Sequence, residues 1–159
     1  MSQAAQQRAP EPVSQWVTFK LDAETYGIRV MQVQEVVRVP DIAPVPGAPD
    51  YVLGIINLRG NVVTVIDTGK RFNLPPREYD DATRIVIVEA KQHVVGLLVD
   101  NVAEVVELRA SDIETAPNVG NDKTSRFIEG VHSRDNELLI LVDVDRLLTE
   151  EEWQEMAAL

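Results

Sequence analysis

The sequence predicts an all-β protein of two similar five-stranded barrel units, closed by a short C-terminal helix. Three observations carry that reading. Hydrophobic residues make up 45% of the chain but aromatics only 5%, so Val, Ile and Leu must supply most of the core, and β-branched side chains fit strands better than helices. Apolar and polar residues alternate in short runs separated by turn residues, the period of half-buried strands. The second half of the chain also reads as a copy of the first. Advanced by 69 positions, Gly27 falls on Gly96, Val30 on Val99, Val33 on Val102, Glu35 on Glu104, Val36 on Val105 and Phe19 on Val88. After the proline-containing loop the offset becomes 76, which sets Gly54 on Gly130, Asn61 on Glu137 and Asp67 on Asp143. A period near 70 is longer than that of solenoid repeats. Roughly five short strands per copy suit a small closed barrel, which leaves few exposed edges. Chance alignment of valine-rich strands is the competing explanation.

The elements follow in order. Residues 1–14 are rich in Gln, Ala and Pro and read as a disordered tail, with order beginning near Gln15. Residues 16–21 (WVTFKL) alternate as a strand, residues 22–25 turn, and residues 26–30 (YGIRV) return as its hairpin partner. Residues 31–39 (MQVQEVVRV) carry four valines, which disfavour a helix and point to a strand with a bulge or break. Pro40, Pro44, Pro46, Gly47 and Pro49 force an irregular loop. Residues 51–56 form a short turn of helix or strand, residues 57–61 (NLRGN) a turn, and residues 62–66 (VVTVI) a strand buried on both faces. Pro75, Pro76, Asp80 and Asp81 mark a linker, which divides the domain at 15–148 into halves of about 15–75 and 83–148. The second half repeats the pattern through residues 84–89, 94–99 and 100–108, a polar loop at 117–125, and residues 127–131, 137–142 and 144–148. Thr149 with Glu152 three residues on is a capping box, so a helix occupies residues 149–159, with Trp153 and Met156 on its apolar face.

Composition excludes several function classes. The net charge of -11 opposes nucleic acid, which needs clustered Lys and Arg, and opposes an anionic membrane surface. No cysteine is present, so disulfides and thiolate chemistry are excluded, and no run approaches the ~20 apolar residues of a membrane span. His93 and His132, read as lying in turns, belong to no metal-binding pattern, and nucleophile-elbow, Walker A and G-x-G-x-x-G motifs are missing. Asp67 and Asp143 end apolar strands as turn-forming residues, and Asp143 with Asp145 lacks the glycine and the distal Glu of a calcium loop. These residues support neither an enzyme nor a cofactor.

Residues 54–67 (GIINLRGNVVTVID) resemble the signature of the CheW family, the coupling proteins of bacterial chemotaxis. Tyr26-Gly27-Ile28 with Val33-Gln34-Glu35-Val36 is similar to the family's first-half pattern. Residues 95–100 with Glu104-Val105 are similar to its second-half pattern, and residues 138–143 with Leu147-Leu148 to its closing strand. The resemblance runs from about Trp16 to Leu148. It implies two five-stranded barrels of the Src-homology-three type around a shared hydrophobic centre. It also implies a non-enzymatic cytoplasmic adaptor, recruited to the inner face of the membrane through receptors. The partners implied are the cytoplasmic hairpin tip of chemoreceptors and the regulatory domain of the histidine kinase CheA, in rings that other copies of the chain can join. Competing readings are an adaptor of another chemosensory pathway, such as pilus motility, and an unrelated all-β binding domain.

The same resemblance places receptor contact at Val30, Val33, Glu35, Val36, Arg59, Gly96 and Val99. A helical hairpin offers anchors at i, i+3, i+4 and i+7, and β-branched walls with a few charges suit it. An Arg on a Gly turn carries a planar fork for carboxylates or carbonyls. Each residue has a second reading. The valines suit a core, Gly27, Gly54, Gly60 and Gly96 suit turns or bulges, and Arg59 suits a clamp onto Glu35 within the fold. Residues 133–136 (SRDN) stand where the first copy has residues 58–61 (LRGN), which points to different partners for the two halves. Kinase-contacting residues are not assigned by the sequence.

Overall fold

The computed structural model describes residues 11–115 and 126–159. Ten strands run in the order β1 (Val13–Leu21), β2 (Glu24–Arg29), β3 (Val33–Arg38), β4 (Val52–Leu58), β5 (Asn61–Ile66), β6 (Arg84–Ala90), β7 (His93–Val99), β8 (Asn101–Arg109), β9 (Ile128–Arg134) and β10 (Glu137–Val142). A single helical turn, α1 (Thr68–Arg71), follows β5, and α2 (Glu150–Ala157) closes the chain. β1 starts two residues before Gln15, because Val13 pairs with Arg109 and the Pro12 carbonyl accepts from Ala110 N at 3.1 Å. The polar loop expected at 117–125 lies outside the described residues.

The strands form two five-stranded sheets, ordered β8-β1-β2-β10-β9 and β3-β6-β7-β5-β4. Each curls around its own small core. Trp16, Val106, Leu108, Leu139 and Leu141 fill the first barrel, and Ile56, Val63, Val65, Ile85 and Ile87 the second. The opposite strand faces meet in a larger shared centre. Leu139 and Leu141 point into the first barrel while Val142 faces the shared centre, and Ile85 and Ile87 point into the second while Val86 and Val88 face the centre. Burial on both faces is why these strands read as unbroken apolar runs. β5 is an exception to that expectation, since Val62 at its start is 70% exposed. Aromatic rings line the centre in sequence: Phe19 to Tyr26 at 5.9 Å, Tyr26 to Phe72 at 4.9 Å, and Phe72 to Phe127 at 4.4 Å.

The barrels do not coincide with the halves 15–75 and 83–148. Each barrel takes two strands from one copy of the repeat and three from the other: β1 and β2 with β8, β9 and β10, then β6 and β7 with β3, β4 and β5. The repeat itself holds residue by residue. Phe19 opposes Tyr26 in one sheet as Val88 opposes Val95 in the other. Ile140 opposes Tyr26 as Thr64 opposes Val95, and Leu141 opposes Gly130 as Val65 opposes Gly54. The exchange begins at the 3-10 turn Val30–Gln32, where the chain leaves β2 and enters the other sheet as β3. That turn is the break expected within residues 31–39.

Of the two readings of residues 51–56 the strand holds, as β4 and its lead-in. Other local features differ from the sequence reading. Residues 144–148 begin as a 3-10 turn, Val144–Arg146, with the Asp143 side chain accepting from Asp145 N at 3.1 Å. α1 was not legible, because a glycine-containing TGKR segment has poor helix propensity. A local N-cap and tertiary contacts hold it. Asp67 Oδ1 accepts from Lys70 N at 3.1 Å, Arg71 Nε donates to the Leu147 carbonyl at 2.8 Å, and Phe72 is buried directly after it. The two histidines lie in strands. His93 stacks on Trp153 with ring centroids 5.6 Å apart, and His132 Nδ1 lies 2.7 Å from the Asp112 carbonyl.

Candidate functional site: a charged clamp beside an aliphatic rim

β4 and β5 are joined by a two-residue turn in which Arg59 (φ 51) and Gly60 (φ 87) both adopt left-handed backbone. This geometry matches the twist of a hairpin, and glycine takes it without steric cost. Asn57 Oδ1 accepts from Gly60 N at 2.8 Å and fixes the turn. The hairpin tip therefore projects the Arg59 side chain, which is 69% exposed, across to Glu35 on β3. Arg59 Nη1 donates to Glu35 Oε1 at 3.0 Å, and Arg59 Nη2 pairs with Glu35 Oε2, so the contact is bidentate. The hydrogen bond from Arg59 holds the Glu35 carboxyl below the usual carboxylate range, and the same bond raises the Arg59 guanidinium further.

The other expected site residues separate into two groups. Val36 is exposed next to Glu35 in β3, Val30 is half-buried on the turn before that strand, and Val33 is half-buried and packs against the shared centre. Val30 also lines a shallow groove of about 350 Å³ with Val13, Arg29, Met31 and Glu107. Gly96 and Val99 leave the expected wall. Val99 is 1% exposed in the shared centre. Gly96 is buried in β7, where a Cβ would come within 2.7 Å of Ile85 Cγ2 inside the second barrel. Neither position is open to solvent.

Some surface residues went unnoticed in the sequence. Met31, 87% exposed on the 3-10 turn, is the most solvent-facing large apolar side chain among the described residues. The repeat also carries the clamp a second time. Glu104, the counterpart of Glu35, receives a hydrogen bond from Arg134 Nη2 at 3.1 Å. Val105, the counterpart of Val36, is exposed beside it, and Leu138, the counterpart of Val62, is exposed as well. The 69-position offset contained this signal. It was obscured by the turn alignment, because residues 133–136 correspond to residues 57–60 and not to 58–61. Asp135 and Asn136 take the left-handed places of Arg59 and Gly60. The second hairpin thus puts an aspartate at its tip and its arginine one residue earlier.

Beyond the clamps, two carboxylates near the barrels have structural partners. Asp145 Oδ1 accepts from Lys91 N at 3.1 Å, and Asp100 accepts from Arg77 Nε at 2.8 Å. Among the described residues no group of three His, Cys, Asp or Glu side chains is placed to hold a metal ion, and no helix is long and apolar enough to cross a membrane.

Comparison with known proteins agrees with this architecture. A family model described as CheW-like domain matches residues 15–152. The chemotaxis protein CheW of Bacillus subtilis (strain 168) is 37% identical over 138 residues, covering 87% of this chain and 88% of that protein. The chemotaxis protein CheW of Treponema pallidum (strain Nichols) is 34% identical over 149 residues, covering 91% and 88%. The crystal structure of the scaffolding protein TtCheW from Thermoanaerobacter tengcongensis superposes with a TM-score of 0.78 at 36% identity, covering 86% of this chain and 92% of that one. With two interlaced five-stranded barrels, a hairpin clamp and matches of this extent, the chain belongs to the CheW-like domain family.

Proposed function

We propose that this chemotaxis scaffold is a non-catalytic cytoplasmic adaptor that couples the cytoplasmic tip of chemoreceptors to the regulatory domain of the histidine kinase CheA. The observation that carries the reading is the exposed clamp of Arg59 and Glu35. An arginine fork held by Glu35 stands in solvent, exposed Val36 follows Glu35 on β3, and exposed Met31 lies on the 3-10 turn that leads into that strand. Such a surface suits a helical partner. Aliphatic anchors bury against the valines, and a carboxylate or a helix-end carbonyl competes for the guanidinium. Arg59 is preorganised by Glu35, so less side-chain entropy is lost on binding. The absence of a catalytic constellation from the motifs supports a binding role.

Calorimetric titration of the chain with a soluble receptor hairpin fragment, and separately with the kinase regulatory domain, tests the assignment. Wild type should bind both. Arg59→Glu should keep its near-UV circular dichroism and its kinase affinity while losing about tenfold or more toward the receptor fragment, the scale of one charged contact. A folded wild type that binds neither partner would overturn the coupling role. Equal receptor affinity for wild type and Arg59→Glu would remove Arg59 from the contact surface.

A further inference from the structure

The strand exchange between repeats has a consequence for how two copies of the chain can meet. Among the described residues, eight strand pairings build the two sheets. Four lie within a repeat (β1 with β2, β4 with β5, β6 with β7, β9 with β10) and four join the repeats (β1 with β8, β2 with β10, β3 with β6, β5 with β7). The shared centre is likewise built by both, with Phe19, Tyr26 and Phe72 from the first and Val88, Leu97 and Phe127 from the second. Neither repeat can bury its apolar faces without the other. Yet only the stretch from α1 to β6 joins them covalently. None of the four joining ladders requires that its two strands belong to the same molecule.

The covalent connection has the features of a hinge. Pro75 and Pro76 stiffen its first part, and residues 75–79 carry no regular structure. They arch over a hollow of about 450 Å³ walled by Leu53, Leu74, Tyr79, Thr83 and Leu98, so they fill no core. One side chain fixes their path. Arg77 Nε donates to both Asp100 carboxylate oxygens at 2.8 Å, and its Nη1 donates to the Pro75 carbonyl at 2.9 Å. The guanidinium lies flat on α1, where a Cβ on Gly69 would come within 2.6 Å of it. Arg77 thus touches the first repeat at Gly69 and the second at Asp100, and it does so from the linker itself. The neighbouring bond from Asp22 N to Asp100 Oδ2 at 2.7 Å joins the repeats without the linker.

We propose that a second copy of this chain can supply either repeat, giving a swapped dimer with the same two barrels built twice, and that Arg77 is the latch that keeps the exchange within one chain. Every ladder and both barrel interiors are the same in monomer and swapped dimer. The balance therefore rests on the linker and on the entropy of association, the condition under which hinge changes redirect a fold into a dimer. The inference is independent of which partners the adaptor binds.

Two variants of the full chain test it, each unfolded in urea, refolded at high concentration and sized by light scattering. Deleting residues 75–79 removes up to about 17 Å of reach and should give a dimer, twice the 17.7 kDa of the monomer, with unchanged near-UV circular dichroism. A folded monomer would overturn the proposal. Arg77→Ala keeps the linker length and guards against a shortened chain that fails to fold. It should raise the dimer-to-monomer ratio about tenfold, the order set by losing a charge-assisted hydrogen-bond pair. A dimer of swapped halves must unfold to separate, so it should persist for hours after dilution, and refolding tagged with untagged chains should give mixed dimers. A ratio unchanged from wild type, or a dimer that dissociates on dilution as a face-to-face contact does, would refute the exchange.

Discussion

Replacing Glu152 by alanine should weaken the attachment of the C-terminal helix to the turn after β5. Glu152 Oε1 accepts from Thr149 N at 2.8 Å, closing the capping box, while Thr149 Oγ1 accepts from Glu152 N at 3.0 Å. The same carboxylate receives Arg71 Nη1 at 2.8 Å and Arg71 Nη2 at 2.5 Å, from the turn after β5. The two side chains are 18% and 21% exposed, so the pair is screened less than a surface bridge and more than a buried one. The Thr149 hydroxyl still caps the backbone of residue 152, so losing the reciprocal half of the capping box contributes about 0.5–1 kcal/mol, and leaving a half-buried guanidinium short of its acceptors a further 1–2, so Glu152→Ala should cost about 2–3 kcal/mol. At about 2–4 °C per kcal/mol for a chain of this size, the melting temperature should fall by about 5–10 °C. Arg71→Ala should cost a similar amount, since it also loses the bond to the Leu147 carbonyl. The double variant should cost less than the sum of the singles by more than about 0.5 kcal/mol, the limit of ordinary additivity. Urea unfolding of the four proteins measures this, and additive losses would refute a coupled staple. The coupling should also depend on pH. Burial pushes the Glu152 carboxyl up, but the Arg71 and Thr149 hydrogen bonds outweigh it and leave the group below its ordinary 4.5. Its contribution is therefore complete above about pH 4.5 and lost as pH falls through the depressed folded value, so wild type and Glu152→Ala should converge in stability in acid.

Two further outcomes follow from close contacts. A Cβ on Gly54 would lie 2.4 Å from the Ala43 carbonyl oxygen, a backbone atom, whereas one on Gly96 would meet the Ile85 Cγ2 methyl at 2.7 Å. Gly54→Ala should therefore destabilise more than Gly96→Ala, with the latter in the range of about 1–3 kcal/mol for overpacking. Equal urea midpoints would show that the Ala43 segment yields as easily as a side chain. Burial, with Glu155 and Glu152 nearby, pushes the Tyr51 phenol up to about 12, and its hydroxyl donates to the Glu152 carbonyl at 3.0 Å. Burial also raises Tyr26 and Tyr79, so ultraviolet titration should show the Tyr51 step near 12, and the amplitude of that step should be lost in Tyr51→Phe. An unchanged titration curve in the variant would place the resistant phenol elsewhere.

Local order was legible because it depends on nearby residues. Alternation at residues 16–21 and the apolar run at 84–89 gave strands, and Thr149 with Glu152 gave the helix start, each from interactions within a few positions of the chain. The clamp was half legible. Glu35 and Arg59 were both singled out, but whether they face each other depends on β3 and the β4–β5 hairpin closing one barrel. Gly96 and Val99 were assigned to a surface because a valine-rich strand looks the same whichever face is wet. β7 is covered on both sides, by the second barrel's interior and by the shared centre.

The sequence by itself determined that the chain is two copies of one five-strand pattern, and it supplied the motifs that place it in its family. Only the tertiary structure decided which copy pairs with which. β1 and β6 are repeat counterparts, with Phe19 and Val88 in the same place, and β3 pairs with β6 while its own counterpart β8 pairs with β1. Hydrogen-bonded ladders carry little information about partner identity when the candidates are near copies. The choice was made by the 3-10 turn at Val30–Gln32, which sends β3 away from β1 and β2, and by the shared centre that forms only when the two copies interlock.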